Sequence, residues 1–125
     1  MKKLVENILE DLSTRDVFLF RAACASCGTE YANQPVRFSK RGVIPATHSK
    51  ELIYEVVYEQ EHSAARQAAI HDAAEQLNFC PICKRLICNR CFLICDDLDM
   101  CRQCAEKLGE SGHPVISEIV EAGTY

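Results

Sequence analysis

The chain has 125 residues, a formal net charge of −4 and nine cysteines, and it lacks tryptophan. This length predicts a single domain spanning 1–125. An acidic chain is at a disadvantage as a nucleic-acid binder, because that binding depends on neutralising phosphates. No apolar run is long enough to cross a bilayer, and acidic residues interrupt the N-terminal apolar pattern, so a signal peptide is not expected. These features predict a cytoplasmic protein without a membrane span.

The first 14 residues predict an N-terminal amphipathic helix. Five apolar residues recur there at helical spacing: Leu4, Val5, Ile8, Leu9 and Leu12. Acidic residues occupy the other side of the same helix. The apolar face is therefore expected to pack against the domain's own core.

Residues 15–27 predict a strand followed by a first zinc knuckle. The stretch from Val17 to Cys24 is rich in strand-forming residues and leads directly into a Cys-x-x-Cys pair. Gly28 follows the second cysteine of that pair and suits a turn that needs a positive φ.

Residues 28–79 form an insertion that is predicted to end in a long helix. Pro35–Ser39 indicates a short second strand. In residues 52–58, β-branched and aromatic side chains favour a strand, although the apolar residues of this stretch also share one helical face. From Glu59 to Leu77 the abundance of alanine, the best helix former, predicts helix.

Residues 80–108 are predicted to be the zinc-binding core, and residues 109–125 a C-terminal tail. Within the core, Phe92–Cys95 indicates a strand, and Cys101–Leu108 a short helix that ends at Gly109. The tail is expected to be either an edge strand or a segment ordered by a partner.

Eight of the nine cysteines form four Cys-x-x-Cys pairs: Cys24/Cys27, Cys80/Cys83, Cys88/Cys91 and Cys101/Cys104. Two thiolates at this spacing can share one tetrahedral metal, so each pair supplies half of a four-thiolate zinc site. In a reducing cytosol such pairs bind metal more often than they form disulfides. We therefore expect two structural zinc ions. Cys95 is left over and is expected to be a small apolar residue of a strand.

Two pairings of these cysteines are physically reasonable. In the sequential pairing, the first pair joins the second and the third joins the fourth. In the interleaved pairing, site 1 consists of Cys24, Cys27, Cys88 and Cys91, and site 2 of Cys80, Cys83, Cys101 and Cys104. The four residues between Cys83 and Cys88 are enough to turn the chain from one site toward the other, so the interleaved pairing is feasible. We favour it because of its resemblance to known zinc modules.

The interleaved pairing resembles the treble-clef and cross-brace zinc-finger superfamily. Residues 80–91 are similar to the centre of FYVE-type fingers, where two pairs lie four residues apart and an apolar pair, here Leu86-Ile87, precedes the third. The resemblance implies an α+β fold: a small zinc-stabilised, treble-clef double zinc module with a helical insertion between the first and second cysteine pairs. It also implies a hairpin through Leu86-Ile87 and residues 92–94, followed by a helix that opens with the last pair.

The resemblance does not extend to phosphoinositide binding. FYVE domains precede their second pair with a basic, histidine-containing motif, whereas this chain has Gln76-Leu77-Asn78-Phe79. The tryptophan-containing motif upstream of the first pair is also missing, and 52 residues separate Cys27 from Cys80.

No catalytic constellation stands out in the chain. A zinc ion with four thiolates has no open position for water or substrate, so we expect a non-enzymatic protein. Glu59 and His62 form a Glu-x-x-His element of the kind found in di-iron bundles. The further Glu-bearing motifs that such sites need are absent, so a surface cluster is favoured.

The leading hypothesis is an adaptor that contacts another protein through its long helix, its N-terminal helix or its tail. One alternative is a nucleic-acid-binding zinc ribbon that uses Lys84, Arg85 and Arg90. Another is a module that recruits a conjugating enzyme through Ile82 and Leu86, because the Cys-Pro-Ile-Cys motif resembles RING-type ligases.

Overall fold

The computed structural model describes residues 2–116 and shows a small mixed arrangement of helices and short antiparallel strands. The helices are α1 (Lys2–Ile8), α2 (His48–Gln76) and α3 (Arg102–Leu108). The strands are β1 (Glu10–Asp11), β2 (Val17–Phe18), β3 (Phe20–Ala23), β4 (Glu30–Ala32), β5 (Val36–Arg37), β6 (Leu77–Phe79), β7 (Leu86–Cys88), β8 (Phe92–Cys95), β9 (Met100–Cys101) and β10 (Gly112–Pro114). The strands form two three-stranded sheets, with the orders β1-β3-β4 and β10-β8-β9, and two two-stranded sheets, β2-β5 and β6-β7.

The buried side chains form two separate clusters. The cysteine core combines five of the cysteines with mostly aliphatic residues; its members are Val5, Ala22, Cys24, Ile70, Ala73, Leu77, Cys80, Leu86, Ile87, Cys88, Phe92, Leu93, Met100, Cys101, Cys104 and Ala105. The aromatic core is smaller; its members are Phe18, Phe20, Phe38, Ala65 and Ala69. The helix α2 contributes residues to both clusters and so connects them.

The helix α2 begins earlier than the sequence predicts. Residues 52–58 are helical, so the expectation of a strand there is wrong. The N-terminal end of the helix is stabilised by Thr47, whose side chain accepts a hydrogen bond of 3.1 Å from the backbone N–H of Lys50. Val57 and Tyr58 pack against the aromatic core from this helical backbone. The cap and these tertiary contacts outweigh the strand propensity of the local side chains.

The N-terminal helix is shorter than the predicted range of residues 1–14. It ends at Ile8, and the chain continues as β1, which pairs with β3. The backbone N–H of Leu12 donates to the carbonyl of Leu19 at 2.8 Å, so residues after Leu9 form inter-strand hydrogen bonds instead of helical ones. Val5 is fully buried in the cysteine core, as expected for the apolar face.

The hairpin expected between Leu86-Ile87 and residues 92–94 is not formed. β7 pairs with β6, and Phe79 lies opposite Leu86. β8 pairs instead with β9 and, on its other edge, with β10. The two strands separate because the turn between them directs Cys91 toward the first cysteine pair.

The start of the predicted tail forms the edge strand β10, whose Gly112 fits tightly against β8. A Cβ atom at this glycine would lie 2.3 Å from the carbonyl oxygen of Ile94, so a larger residue would push the strand away. The predicted strand from Val17 to Cys24 is divided into β2 and β3 at Leu19. Residues 117–125 of the tail lie outside the described part.

Candidate metal centre

The first cysteine group consists of Cys24, Cys27, Cys88 and Cys91, whose Sγ atoms all lie within 4.8 Å of one another. Cys24 follows the end of β3, and Cys88 ends β7. The Sγ atoms of Cys27 and Cys88 are 3.7 Å apart. The group is accessible from one side, because Cys24 and Cys88 are buried whereas Cys27 is exposed.

The second group consists of Cys80, Cys83, Cys101 and Cys104, which also lie within 4.8 Å of one another. Cys80 follows β6, Cys101 ends β9 and caps α3, and Cys104 lies in the first turn of α3. The Sγ atoms are 3.9 Å apart between Cys80 and Cys104 and 3.8 Å apart between Cys83 and Cys101.

The cysteines are thus grouped as in the interleaved pairing, not as in the sequential one. Cys95 belongs to neither group. It ends β8 as a partly buried residue, and its backbone N–H donates to the Asp99 carboxylate at 3.0 Å.

The sulfur spacing fits a tetrahedral metal ion. Metal–sulfur bonds of about 2.3 Å in a regular tetrahedron place the sulfur atoms about 3.8 Å apart. Sulfur–sulfur distances of 3.7 Å in the first group and of 3.8 and 3.9 Å in the second match this edge length. Each group can therefore hold one metal ion without rearrangement of its backbone.

The turns that carry Cys24/Cys27 and Cys80/Cys83 have the same backbone geometry. In each, the N–H of the first cysteine donates to the carbonyl five residues later, at 3.0 Å to Thr29 and 2.9 Å to Arg85. In each, the residue after the second cysteine has a positive φ: 76° at Gly28 and 64° at Lys84. The N–H of that residue returns to the carbonyl of the first cysteine, at 2.9 and 2.8 Å.

Backbone N–H groups point at the sulfurs, which is an arrangement that stabilises thiolates. The N–H of Cys88 donates to Cys24 Sγ at 3.3 Å, and at the equivalent position the N–H of Cys101 donates to Cys80 Sγ at 3.4 Å. Further N–H groups contact these sulfurs, including that of Ser26 at 3.3 Å from Cys24. Such second-layer hydrogen bonds orient the ligands of metal sites, so the donor set fits a metal ion.

One cysteine in each group has a strongly lowered pKa. The Thr29 hydroxyl lies 3.1 Å from Cys27 Sγ, and hydrogen bonds with Thr29 lower the pKa of Cys27 to about 6. Burial acts against ionisation of Cys83, but hydrogen bonds from Arg85 outweigh it and lower the pKa of Cys83 to about 6. Both thiols are therefore largely ionised at neutral pH.

Another cysteine in each group has a raised pKa. Burial, followed by the neighbouring sulfurs, raises the pKa of Cys91 to about 12, and the same causes raise the pKa of Cys104 to about 12. Four negative sulfurs so close together repel one another unless a cation lies between them. A divalent cation would supply that compensation and displace the remaining protons.

Arg85 connects the two groups. Its Nε donates to Cys83 Sγ at 3.2 Å in the second group, while its Nη1 donates to the carbonyl of Ala25 in the first, at 3.1 Å. Its third nitrogen donates to Gln103 Oε1 at 2.6 Å. The backbone N–H of Ala25 also donates to the carbonyl of Leu86 at 3.1 Å, so the two cysteine turns are fastened together.

Sequence reasoning identified the cysteines but did not assign Thr29, Tyr31 or Arg85 to individual sulfurs. Thr29 and Arg85 each stand two positions after the second cysteine of a turn, and each contacts that cysteine. Tyr31 forms a hydrogen bond with Cys88, and burial followed by this thiolate raises the pKa of Tyr31 to about 12. The only sequence signal for Thr29 and Arg85 is their position two residues after the second cysteine of a turn. This spacing is too common to identify a supporting residue.

The Glu-x-x-His element forms no metal cluster within residues 2–116. His62 Nε2 lies 2.7 Å from Asp11 Oδ2, and its ring contacts Phe18 and Phe20 of the aromatic core. Glu59 is exposed. His62 therefore belongs to the packing between β1 and α2.

No model of a known protein family, no curated protein and no solved structure matches the chain. Within the described residues, no helix combines the length and the apolarity needed to cross a membrane.

Proposed function

We propose that the protein is a non-enzymatic adaptor that is stabilised by two structural zinc ions. The all-sulfur, tetrahedral donor sets support zinc, which favours four thiolates in closed structural sites. The cysteine turn at residues 80–85, the hairpin β8–β9 and α3 with Cys104 follow one another as the parts of a treble clef do. This order supports a treble-clef, cross-brace type of module.

Closed metal sites support a binding role in preference to catalysis. When four sulfurs surround a zinc ion, no position remains for water or substrate, so the ion cannot act as a Lewis acid. The ions then have a structural role. They join four chain segments and fix the relative positions of the surfaces that these segments carry.

The observation that carries the adaptor role is an exposed apolar face on the first half of α2. Leu52, Ile53 and Val56 are 57%, 49% and 53% exposed. These residues lie within about 100° of one another around the helix at 100° per residue. Ile44, which precedes the helix, is 89% exposed. Contiguous exposed apolar residues on a rigid element are typical of protein-interaction surfaces.

A cross-linking pull-down from the native cytosol tests this role. The zinc-loaded chain is compared with a variant that carries Leu52→Gln, Ile53→Gln and Val56→Gln. The matched control carries Leu98→Gln and Leu108→Gln, which also replace exposed leucines. We expect a stoichiometric partner that is retained by the control and lost with the α2 variant. Recovery of the same proteins by all three chains, or of none, would contradict the proposal.

The structure gives less support to the alternative functions. Arg85 and Arg102 donate hydrogen bonds to backbone carbonyls, and Arg90 contacts Thr29, so these arginines act within the fold. Leu86 is buried, which removes it from a surface that could recruit a conjugating enzyme, although Ile82 is exposed.

A further inference from the structure

A groove of about 310 Å³ lies between α1 and the end of the β6–β7 hairpin. Leu4 and Ile8 line it from α1, where residues four positions apart share one face of the helix. Phe79 and Leu86, which are cross-strand partners, line it from the hairpin. Leu4 and Ile8 are 37% and 39% exposed, so apolar surface is open to solvent in the groove.

The groove is separate from the apolar face of α2 on which the proposed function rests. None of the described residues that line it belongs to α2. A ligand of the groove would therefore bind whether or not α2 has a partner.

The charged groups of the groove are cations, although the chain as a whole carries a net charge of −4. Lys84 and Arg85 line it, and none of the described lining residues is acidic. Lys84 is exposed, and its ammonium lies 5.9 Å from the centre of the Phe79 ring. A ligand that combines an apolar side chain with neighbouring carboxylates would find complementary groups for both.

Arg85 is held in position before any ligand binds. Its Nε, Nη1 and Nη2 donate hydrogen bonds to Cys83 Sγ, the Ala25 carbonyl and Gln103 Oε1, at 3.2, 3.1 and 2.6 Å. A guanidinium has five N–H donors, so these bonds leave donors for a ligand. Because the side chain is already fixed, binding a carboxylate costs little conformational entropy there.

Lys84 has a backbone conformation that favours glycine. Its φ of 64° is in the left-handed region, which disfavours residues with a Cβ atom. Gly28 occupies the equivalent position of the other cysteine turn, with a φ of 76°, so the turn itself does not require a lysine. Strained residues are concentrated at functional sites. The exposed ammonium beside the groove is the feature that a glycine would not supply.

The size and composition of the groove favour a short peptide over a nucleic acid. A volume of about 310 Å³ is at the lower end of the range for ligand sites, which suits a few residues of a peptide. Single-stranded nucleic acids bind mainly by stacking their bases on aromatic rings. Phe79 is the one aromatic residue among the described lining residues, and the Lys84 ammonium already lies over its ring.

We propose that this groove binds a short acidic segment of another protein. An apolar side chain of the segment packs against Ile8, Phe79 and Leu86, and the carboxylates beside it contact Lys84 and Arg85. The groove thus gives the protein a second interaction surface, which selects partners by negative charge as well as by apolar contact.

Peptide titrations followed by amide chemical shifts on the full, zinc-loaded chain test this proposal. The probe is the peptide Glu-Asp-Leu-Phe-Glu-Asp. We expect it to shift the amide signals of Ala23, Ala25, Phe79 and Leu86 with a dissociation constant below about 1 mM, and to bind more weakly at high salt. Lys-Lys-Leu-Phe-Lys-Lys, which reverses the charge, and Glu-Asp-Ser-Ser-Glu-Asp, which lacks the apolar side chains, should bind at least about tenfold more weakly.

Two variants locate the binding site. Lys84→Gly should weaken the binding of the acidic probe about fivefold, the upper end for one exposed charge pair. This substitution also relieves the left-handed conformation, so the midpoint of urea unfolding should not fall. Its control, Lys107→Gln, removes an exposed positive charge from α3 and should change the affinity less than about twofold. Ile8→Ser should weaken binding as well, whereas Leu98→Ser, at an exposed position outside the groove, should not.

Three outcomes would overturn the proposal. The first is the absence of shifts at the lining residues with the acidic probe. The second is equal affinity of the Lys84→Gly and Lys107→Gln variants, or of the probes with and without apolar side chains, since the groove would then not be the site or charge alone would suffice. The third is tighter binding of a uridine octanucleotide than of the acidic probe at the same amides, which would assign the groove to nucleic acid.

Discussion

The cysteine core and the aromatic core are held together by different interactions. In the cysteine core, sulfurs from four chain segments meet in two groups that can each bind a metal ion. In the aromatic core, Phe18, Phe38 and Tyr58 pack ring against ring at centroid distances of 5.1 to 6.1 Å. One core depends on a few directional bonds and the other on apolar burial. The same small chain therefore combines two kinds of stability, joined through α2.

The largest expected effect comes from breaking a metal site. Structural zinc sites supply roughly 10–16 kcal/mol of binding free energy, which is comparable to the whole stability of a domain. The substitution Cys88→Ser removes a ligand of the first group. We expect loss of one metal equivalent by elemental analysis and unfolding of the cysteine core, seen as loss of amide protection at β6 and β7.

Cys95→Ser is the matched control, because Cys95 belongs to neither cysteine group. This variant should retain about two metal equivalents and the stability of the unsubstituted chain. Equal metal content in the two variants would contradict the division of the cysteines.

The next largest effect is expected in the aromatic core. Phe18 is fully buried, and truncation of such a side chain costs about 3–5 kcal/mol. Phe18→Ala should lower the free energy of unfolding by that amount in urea denaturation, while the metal content stays unchanged. The exposed cross-strand neighbour Val36 provides the control, since Val36→Ala should change the stability by less than about 0.5 kcal/mol. Loss of metal with Phe18→Ala would show that the two cores are not separable.

A smaller effect is expected from Arg85→Gln, which removes the side-chain hydrogen bonds that connect the two cysteine groups. Residues that hydrogen-bond to metal ligands typically affect metal affinity by 10- to 100-fold, and we expect about tenfold. Competition with a chromophoric chelator measures the change. Arg15→Gln is the control, since Arg15 pairs with Glu55 and contacts Tyr58 beside the aromatic core. An equal change in metal affinity in both variants would mean that the loss of one positive charge, and not the loss of the Arg85 hydrogen bonds, causes the effect.

The smallest effect is expected at the N-terminal cap of α2. Thr47→Ala removes the side-chain acceptor for the Lys50 N–H and should cost about 1 kcal/mol. The free energy of unfolding is the measurement, and metal affinity should not change. Ser49→Ala, two positions further along in the exposed first turn, should be neutral. A drop in metal affinity with Thr47→Ala would indicate that this end of α2 communicates with the cysteine core.

The sequence-based predictions are correct where the structure depends on neighbouring residues and wrong where it depends on residues far apart in the sequence. The four Cys-x-x-Cys pairs and the helix from Glu59 onward rest on spacing and on propensity, which are both local. The strand expected in residues 52–58 is wrong because Val57 and Tyr58 obtain their partners from distant parts of the chain. The hairpin expected at Leu86-Ile87 is wrong because β6, from the end of the insertion, takes the position of its partner. Neither contact has a signature in the local sequence.

The interleaved grouping has a consequence for the order in which the chain assembles. Closing the second group joins Cys83 to Cys101 across 17 residues, whereas closing the first joins Cys27 to Cys88 across 60 residues. The longer loop costs about 1 kcal/mol more in chain entropy. When metal is scarce, we therefore expect the second group to fill first. The half-loaded protein would then leave α2 on an open loop, together with the residues Phe38, Ala65 and Ala69 of the aromatic core. The availability of the second metal ion would then set the fraction of molecules in which the loop between Cys27 and Cys88 is closed.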